Sequence, residues 1–191
     1  MYYSTRGLAL EINSLIDEII NGNTALFEQI VNRYQKPIFA FLLGMGISSQ
    51  ILEDLAQDVF LSAYQHLNDY DRTKSQFSTW LFSIAKNKAF NHTRKKKIKS
   101  FFGFVNEGLD QNFSPNLFID QLQNNIQHEI LYQSVNSLPE KFKVCAVLYF
   151  YNDLKLEEIA KIEKCSLGTV KSRLFRAKES LKINLSERSL I

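Results

Sequence analysis

Glycine and proline are scarce, seven and three in 191 residues. A chain that turns as often as an all-β protein needs more of both. Long apolar runs are missing too. The longest, residues 37–47, holds two glycines and falls well short of the roughly 20 residues that span a bilayer. The N-terminus has no basic segment leading into an apolar stretch and a small-residue cleavage site, so no export signal is expected. The two cysteines, Cys145 and Cys165, form no C-x-x-C. Without export they are expected to be reduced thiols of a cytoplasmic protein. The three histidines, His66, His92 and His128, are scattered. No H-E-x-x-H, Walker loop, G-x-S-x-G or cysteine–histidine metal spacing accompanies them. The expectation is a protein that is not an enzyme, with no catalytic residues, no metal, no cofactor and no small-molecule substrate.

Net charge is only +3, but it is unevenly placed. Residues 1–99 carry twelve Lys and Arg against nine acids. Residues 100–138 carry no Lys or Arg and four acids, Glu107, Asp110, Asp120 and Glu129. Residues 139–191 return to eleven basic against seven acidic side chains. Two basic blocks flanking an acidic one suggest a polyanion partner. Surface charge kept only for solubility would give the same net value, so the positions have to decide.

Helical periodicity dominates. Phe27, Ile30, Val31, Tyr34, Ile38, Phe41 and Leu42 recur at three- and four-residue steps, as a helix with one buried face requires. Ser48 and Ser49 are N-cap candidates for a helix reaching about Leu67. Asn68 to Gln76 reads as a loop, and Phe77 to about Arg94 as a further helix. Residues 1–20, with Leu10, Leu15, Ile16, Ile19 and Ile20, suggest a short helix. Residues 100–130 are rich in Gly, Asn, Gln, Ser and Pro and read as an irregular linker; Phe113, Leu117, Phe118, Ile119 and Leu122 could dock on a neighbouring surface. From about Ile130 to Leu185 periodicity returns. Ser137-Leu138-Pro139-Glu140 is a helix start with Pro in the first turn. No strand alternation is sustained and there is no internal repeat. The fold class expected is all-α: two small helical domains, an N-terminal helical bundle and a C-terminal helix-turn-helix domain, joined by a mostly irregular linker. The expected divisions are 1–22 (N-terminal extension), 23–99, 100–130 (linker) and 131–191.

The sharpest local pattern is L-E-E-I-A-K-I-E-K-C-S-L-G-T-V-K-S-R-L over residues 156–174. It fits a short helix, a tight turn and a second helix. Ser166 can cap the second helix through a free backbone N–H. At about 100° per residue, Leu167, Val170, Leu174, Ala177 and Leu181 share the inner face. Thr169, Ser172, Arg173 and Arg176 fall on the far side with Phe175 at its edge. Such a helix suits a DNA major groove, where Arg bonds guanine and Ser or Thr bonds bases or phosphates. Lys171, Lys178 and Lys182 suit phosphate contacts, which position without specifying. An amphipathic surface helix with a basic solvated face would look alike; the I-A-x-I…G-T-V-K-S-R-L string tips the balance. It resembles the last region of extracytoplasmic-function (ECF) sigma factors of bacterial RNA polymerase, which reads the −35 promoter element. Leu138-Pro139-Glu140-Lys141-Phe142, Leu148-Tyr149 and Arg176-Ala177-Lys178 match as well. Lys164 departs from the pattern, standing where many helix-turn-helix proteins have Gly. If that position requires positive φ, Lys costs about 1 kcal/mol.

In the N-terminal half, Leu52, Leu55, Ala56, Val59, Phe60, Ala63 and Leu67 share one half of a helix, and Asp54, Gln57, Asp58 and Leu61 a narrow stripe on the other. Exposed acids are ordinarily just solvated. This stripe resembles the core-polymerase-binding helix of the same family, with its E-D-L-x-Q-D/E-x-F pattern. The resemblance implies that Asp54, Gln57, Asp58 and Leu61 contact the clamp helices of the polymerase's largest subunit.

Residues 77–97 follow aromatic side chains with cations: seven basic residues and no acid lie between 86 and 99. Cations track phosphates and rings stack on unpaired bases in single-strand binding. Phe77, Trp80, Leu81 and Ile84 also share a face and could be a core stripe instead. The F-S-T-W-L-x-x-I-A-x-N string resembles the family's promoter-melting and −10-reading region. The resemblance assigns Phe77, Trp80, Lys86, Asn87, Asn91 and Arg94 to −10 and melted DNA, and the loop 68–76 to a pocket for a flipped-out base. Asn91 stands where the family usually has an acid. It further implies core RNA polymerase and promoter DNA, double- and single-stranded, as partners, together with an anti-sigma factor. The function implied is promoter-specific transcription initiation. A dimeric repressor reading a palindrome with one helix-turn-helix, or a helical adaptor, has no use for the aromatic and basic helix.

Overall fold

The computed structural model describes the backbone of residues 5–101 and 132–188 and the side chains of 11–94 and 132–186. The expected linker, with its docking residues Phe113, Leu117, Phe118, Ile119 and Leu122, lies outside the described residues. Among those described there is no strand. The helices are α1 (Thr5–Ile20), α2 (Phe27–Gly44), α3 (Ser49–Gln65) and α4 (Phe77–Phe101), then α5 (Glu140–Ala146), α6 (Leu156–Glu163) and α7 (Leu167–Arg188).

The buried face of α2 supplies Ile30, Ile38, Phe41 and Leu42, each fully buried. Pro37 lies inside this helix and withholds one amide from the ladder. The helix ends in a Schellman motif: Gly46, at φ 83°, donates to the Leu43 carbonyl (2.8 Å) and Ile47 to the Leu42 carbonyl (3.1 Å). This closes the free carbonyls that every helix end leaves. α3 begins after Ser48, whose side chain makes no capping bond. It ends two residues short of Leu67, where a 3-10 turn takes over. α4 crosses the pair, with Phe77, Leu81, Phe82, Ala85 and Ala89 buried and the Phe82 ring edge-on to Phe41 at 5.6 Å. The helix runs on to Phe101, beyond the expected end near Arg94.

α1 is more than the short helix expected. Sixteen residues long, it sends Ile12, Ile16 and Ile19 into the same core as α2 and α4. Their i, i+4, i+7 spacing makes one stripe. Polar bonds secure the packing: Arg72 pairs with Asp17, and the Tyr70 hydroxyl donates to Asn13 Oδ1 (3.4 Å).

In the C-terminal half Pro139 occupies the N-cap of α5 with extended ψ, not the first turn as expected. α5 loosens into a π turn, Val147–Tyr151. This turn keeps Val147 and Leu148 inside and leaves Tyr149, Phe150 and Tyr151 at the surface. α7 packs on α5, with Ala177 against Leu138 and Ala146, and α6 packs on α7 and on α4, so that Ile159, Ile162 and Val170 join one core with the N-terminal helices. Burial pushes the Cys145 thiol up to about 11, with the nearby Glu163 charge adding to the shift, so it remains a neutral thiol at neutral pH.

Two predictions test this packing. Ile16→Ala should cost roughly 2–4 kcal/mol in urea unfolding, as for a fully buried large aliphatic chain; an unchanged midpoint would make α1 an appendage. Lys164, in the left-handed region at φ 50°, should become more favourable as Gly. Lys164→Gly is expected to raise stability by roughly 0.5–1 kcal/mol in the same measurement.

Candidate nucleic-acid interface

Residues 156–174 fold into two helices separated by a tight turn. At the start of α6 the Lys155 amide donates to Glu158 Oε2 (2.9 Å), the backbone half of a capping box. At its end Lys164 donates to the Lys161 carbonyl (3.2 Å) and Cys165 to the Ala160 carbonyl (3.0 Å). This is a second Schellman closure, built around a lysine in the position that glycine favours. Ser166 then caps α7, its Oγ accepting from the Thr169 amide (3.1 Å).

The inner face of α7 follows the expected register: Val170 and Ala177 are buried, and Leu167, Leu174 and Leu181 partly so. On the outer face Lys171, Ser172, Phe175 and Arg176 are exposed, Phe175 with 67% of its surface free. Thr169 is half-buried beside the Ser166 cap. Arg173 departs from the expected outward position. Its Nη1 donates to Glu163 Oε2 (2.7 Å), and only 18% of the side chain is free. Glu163 ends the preceding helix one turn from α7, and a carboxylate buried there draws in the nearest guanidinium.

α3 separates as expected. Leu52, Leu55, Ala56, Val59, Phe60 and Ala63, with Leu67 just beyond the helix, are buried. Asp54, Gln57, Asp58 and Leu61 are all exposed. Leu61 is an apolar side chain with 54% of its surface in solvent, and Tyr64 lies one turn further on at 41%. The stripe thus combines two carboxylates with apolar surface, as a specific protein contact does.

On α4 the expected contacts divide. Asn87, Asn91 and Arg94 are exposed. Phe77 is not: at 2% exposure it is enclosed by Tyr34 and Tyr70, ring centroids 5.5 and 5.4 Å away. It builds the core and is not free to stack on a base. Trp80 is half-buried and lies 5.5 Å from both Tyr70 and Phe77. Lys86 is withdrawn as well. Its ammonium donates to the Ile162 carbonyl (2.6 Å) and lies 3.4 Å from Glu163 Oε1.

The loop after α3 is held in shape. Asp71 Oδ1 accepts from the Thr73 amide (2.9 Å) and hydroxyl (2.6 Å). These bonds, with Lys74 nearby, hold its carboxyl down at about 2. The single proton of the Tyr70 hydroxyl is shared between the Ser75 carbonyl (3.1 Å) and Asn13 Oδ1 (3.4 Å). Beneath the loop a cleft of about 310 Å³ opens between α1, α2 and the start of α4, edged by Asn13, Arg33, Tyr34, Tyr70 and Gln76. Asn13, Arg33 and Tyr34 lie far from the loop in sequence and carry no motif that would have flagged them. Glu163, the partner of both withdrawn cations, closes the first helix of the pair, and nothing in its spacing marks it as their partner. Among the described residues no group of His, Cys, Asp and Glu is arranged to hold a metal, and no helix is long and apolar enough to cross a membrane.

Comparison with known proteins agrees with this layout. Residues 30–98 match the Sigma-70 region 2 family and residues 128–181 the Sigma-70 region 4 family. The ECF RNA polymerase sigma-E factor of Escherichia coli is 31% identical over 174 residues, covering 87% of this chain and 90% of that protein. The ECF sigma factor SigW of Bacillus subtilis is 30% identical over 195 residues, covering 94% of this chain and all of that protein. Among solved structures the fold is similar to CnrH in complex with the cytosolic domain of CnrY, with a TM-score of 0.70 at 22% identity over 91% of this chain and 96% of that one. It is also similar to the sigma factor RpoE of Bartonella quintana in complex with the anti-sigma factor NepR, with a TM-score of 0.68 at 23% identity over 84% of this chain and 96% of that one. With two region matches in the expected order and relatives at this identity over nearly their full length, the chain belongs to the ECF RNA polymerase sigma factors, which act in promoter-specific transcription initiation.

Proposed function

We propose that the two helical modules, expected at 23–99 and 131–191, divide promoter recognition between them. The first docks on core polymerase through Asp54, Gln57, Asp58 and Leu61, against the clamp helices of the largest subunit. Complementary charge sets the orientation and speed of that encounter, and Leu61 supplies the desolvated contact. The observation that carries this reading is the division of α3, with every expected contact in solvent and every expected core residue buried.

Promoter DNA is read at two places. α7 enters the major groove of the −35 element, with Arg176, Ser172, Phe175 and Thr169 at base edges and Lys171 on phosphate; Arg173 joins them once freed from Glu163. α4 presents Asn87, Asn91 and Arg94 to the −10 element, with Lys86 and the half-buried Trp80 behind them. A base extruded from the duplex enters the cleft below the 70–76 loop. Extrusion costs a few kcal/mol, which stacking on Tyr70 and hydrogen bonds from Asn13, Arg33 or Gln76 offset. The protein performs no catalysis of its own; it works in the cytoplasm, where the polymerase supplies the chemistry. An anti-sigma factor is a further partner, in keeping with the complex of the Bartonella relative.

Run-off transcription with core polymerase on a library of promoter fragments tests the whole reading: specific initiation is expected, and none would sink it. Asp54→Lys combined with Asp58→Lys should abolish co-elution with core on gel filtration while the far-ultraviolet circular dichroism stays native. Arg176→Ala should cost roughly 1–3 kcal/mol in binding the selected promoter if its guanidinium contacts a base bidentately; unchanged selectivity would remove it from the readout.

A further inference from the structure

The cleft beneath the 70–76 loop takes part of its wall from a helix that carries no motif. α1, Thr5–Ile20, precedes the match to the Sigma-70 region 2 family, which begins at residue 30. It reaches the loop through Asn13 and Asp17, whose i, i+4 spacing puts them on one face. Asn13 Oδ1 takes a share of the Tyr70 hydroxyl proton (3.4 Å), and Asp17 pairs with Arg72. Within the loop, Asp71 Oδ1 accepts from Thr73 (2.9 and 2.6 Å) and the Lys74 ammonium lies 3.2 Å from the same carboxylate. Those internal bonds fix the shape of the loop. The bonds to α1 fix where that shape stands over the cleft. Helix stability does not account for Asp17, which lies in the last turn of α1, where the macrodipole disfavours a carboxylate. Nor does global stability, since the Asp17 and Arg72 side chains are 47% and 51% exposed and ion pairs this exposed add little. Arg72 lines the cleft, and Asp17 does not.

We infer that Asp17 is a positioning residue for −10 recognition: by holding Arg72 it keeps the loop where the cleft admits an extruded base. The inference rests on the base-binding role proposed above for that cleft. Without the pair the loop samples other positions, and apparent affinity falls with the fraction of molecules still in place. One competent molecule in about ten weakens binding about ten-fold. The sign of the effect separates this role from plain electrostatics. A surface acid beside a DNA path repels phosphate, and its removal also frees Arg72 to bind one, so charge alone predicts tighter binding by Asp17→Ala. Positioning predicts weaker binding.

The test uses holoenzyme assembled from core polymerase and the full chain. The probes are single-stranded oligonucleotides carrying each strand of the −10 element of a promoter recovered from the run-off library, intact and with each base replaced in turn. Kd is read by fluorescence anisotropy at fixed salt, after circular dichroism has checked folding and gel filtration has checked core binding. Asp17→Ala is expected to bind the intact element about ten-fold more weakly and to lose discrimination at one position only. Asp17→Glu, which can still reach Arg72, should restore most of both. In an Arg72→Ala background Asp17→Ala should add nothing, because the two residues act as a unit. Asp17→Asn keeps the shape without the charge and replaces the alanine variant if that one fails to fold. Unchanged or tighter binding by Asp17→Ala overturns the inference, and so does a full Asp17→Ala effect in the Arg72→Ala background. The unaltered protein separates this failure from that of the base-binding role. If no single −10 position discriminates in it, both fall; if one does and Asp17→Ala retains it, only the positioning role falls.

Discussion

A carboxylate with nine per cent of its side chain in solvent has lost most of its hydration and has to be compensated by cations and donors nearby. Glu163 meets that requirement with Arg173 and Lys86, and the consequences spread in both directions. Within the helix-turn-helix it ties the end of α6 to the second turn of α7, fixing the angle at which α7 is presented. Across the modules it meets α4 at the same point, near Cys145 in a core that the two halves share. Breaking one arm of such a triad leaves a buried charge short of a partner, which typically costs about 3–5 kcal/mol. The same group thus orders α7 and keeps Arg173 from facing outward.

The stripe on α3 is built on a different principle. α3 has no buried charge to satisfy. Its apolar half fills the space between α2 and α4, and its other half is left to solvent with two acids and an exposed leucine. Since the core fixes the rotation of the helix, Asp54, Gln57, Asp58 and Leu61 are presented as a rigid row. The loop after α3 gains rigidity from its own bonds, Asp71 to Thr73 and Tyr70 to Ser75, and from α1, which braces it through Asp17 and Asn13.

Much of this was legible in residue spacing. The three- and four-residue repeats named core residues: those of α3 are buried, as are Ile30, Ile38, Phe41 and Leu42 of α2, while Phe27, Val31 and Tyr34 are half-buried against the same core, and Ser166 caps the helix it was expected to cap. The inner face of α7 follows from 100° per residue. Periodicity failed where several apolar stripes compete for one interior. Phe77 and Trp80 satisfy both a core pattern and a base-stacking pattern, and only the rings of Tyr34 and Tyr70 closing on Phe77 decide for the core. α1 exceeds the short helix expected because Asn21-Gly22, with Gly22 at φ 109°, closes it after Ile20 and its isoleucines find partners in α2 and α4.

By itself the sequence determined the helical class, the order of the two modules, the register of each amphipathic helix and the stripe on α3, since these depend on spacing along one chain. Tertiary structure alone decided the fate of Arg173 and Lys86. Helical geometry placed Arg173 on an outer face and the family resemblance assigned Lys86 to DNA, but a side chain with several rotatable bonds goes where the nearest buried opposite charge lies. That charge, Glu163, is 77 positions from Lys86 in the sequence, a distance over which no local rule of spacing or propensity has any reach.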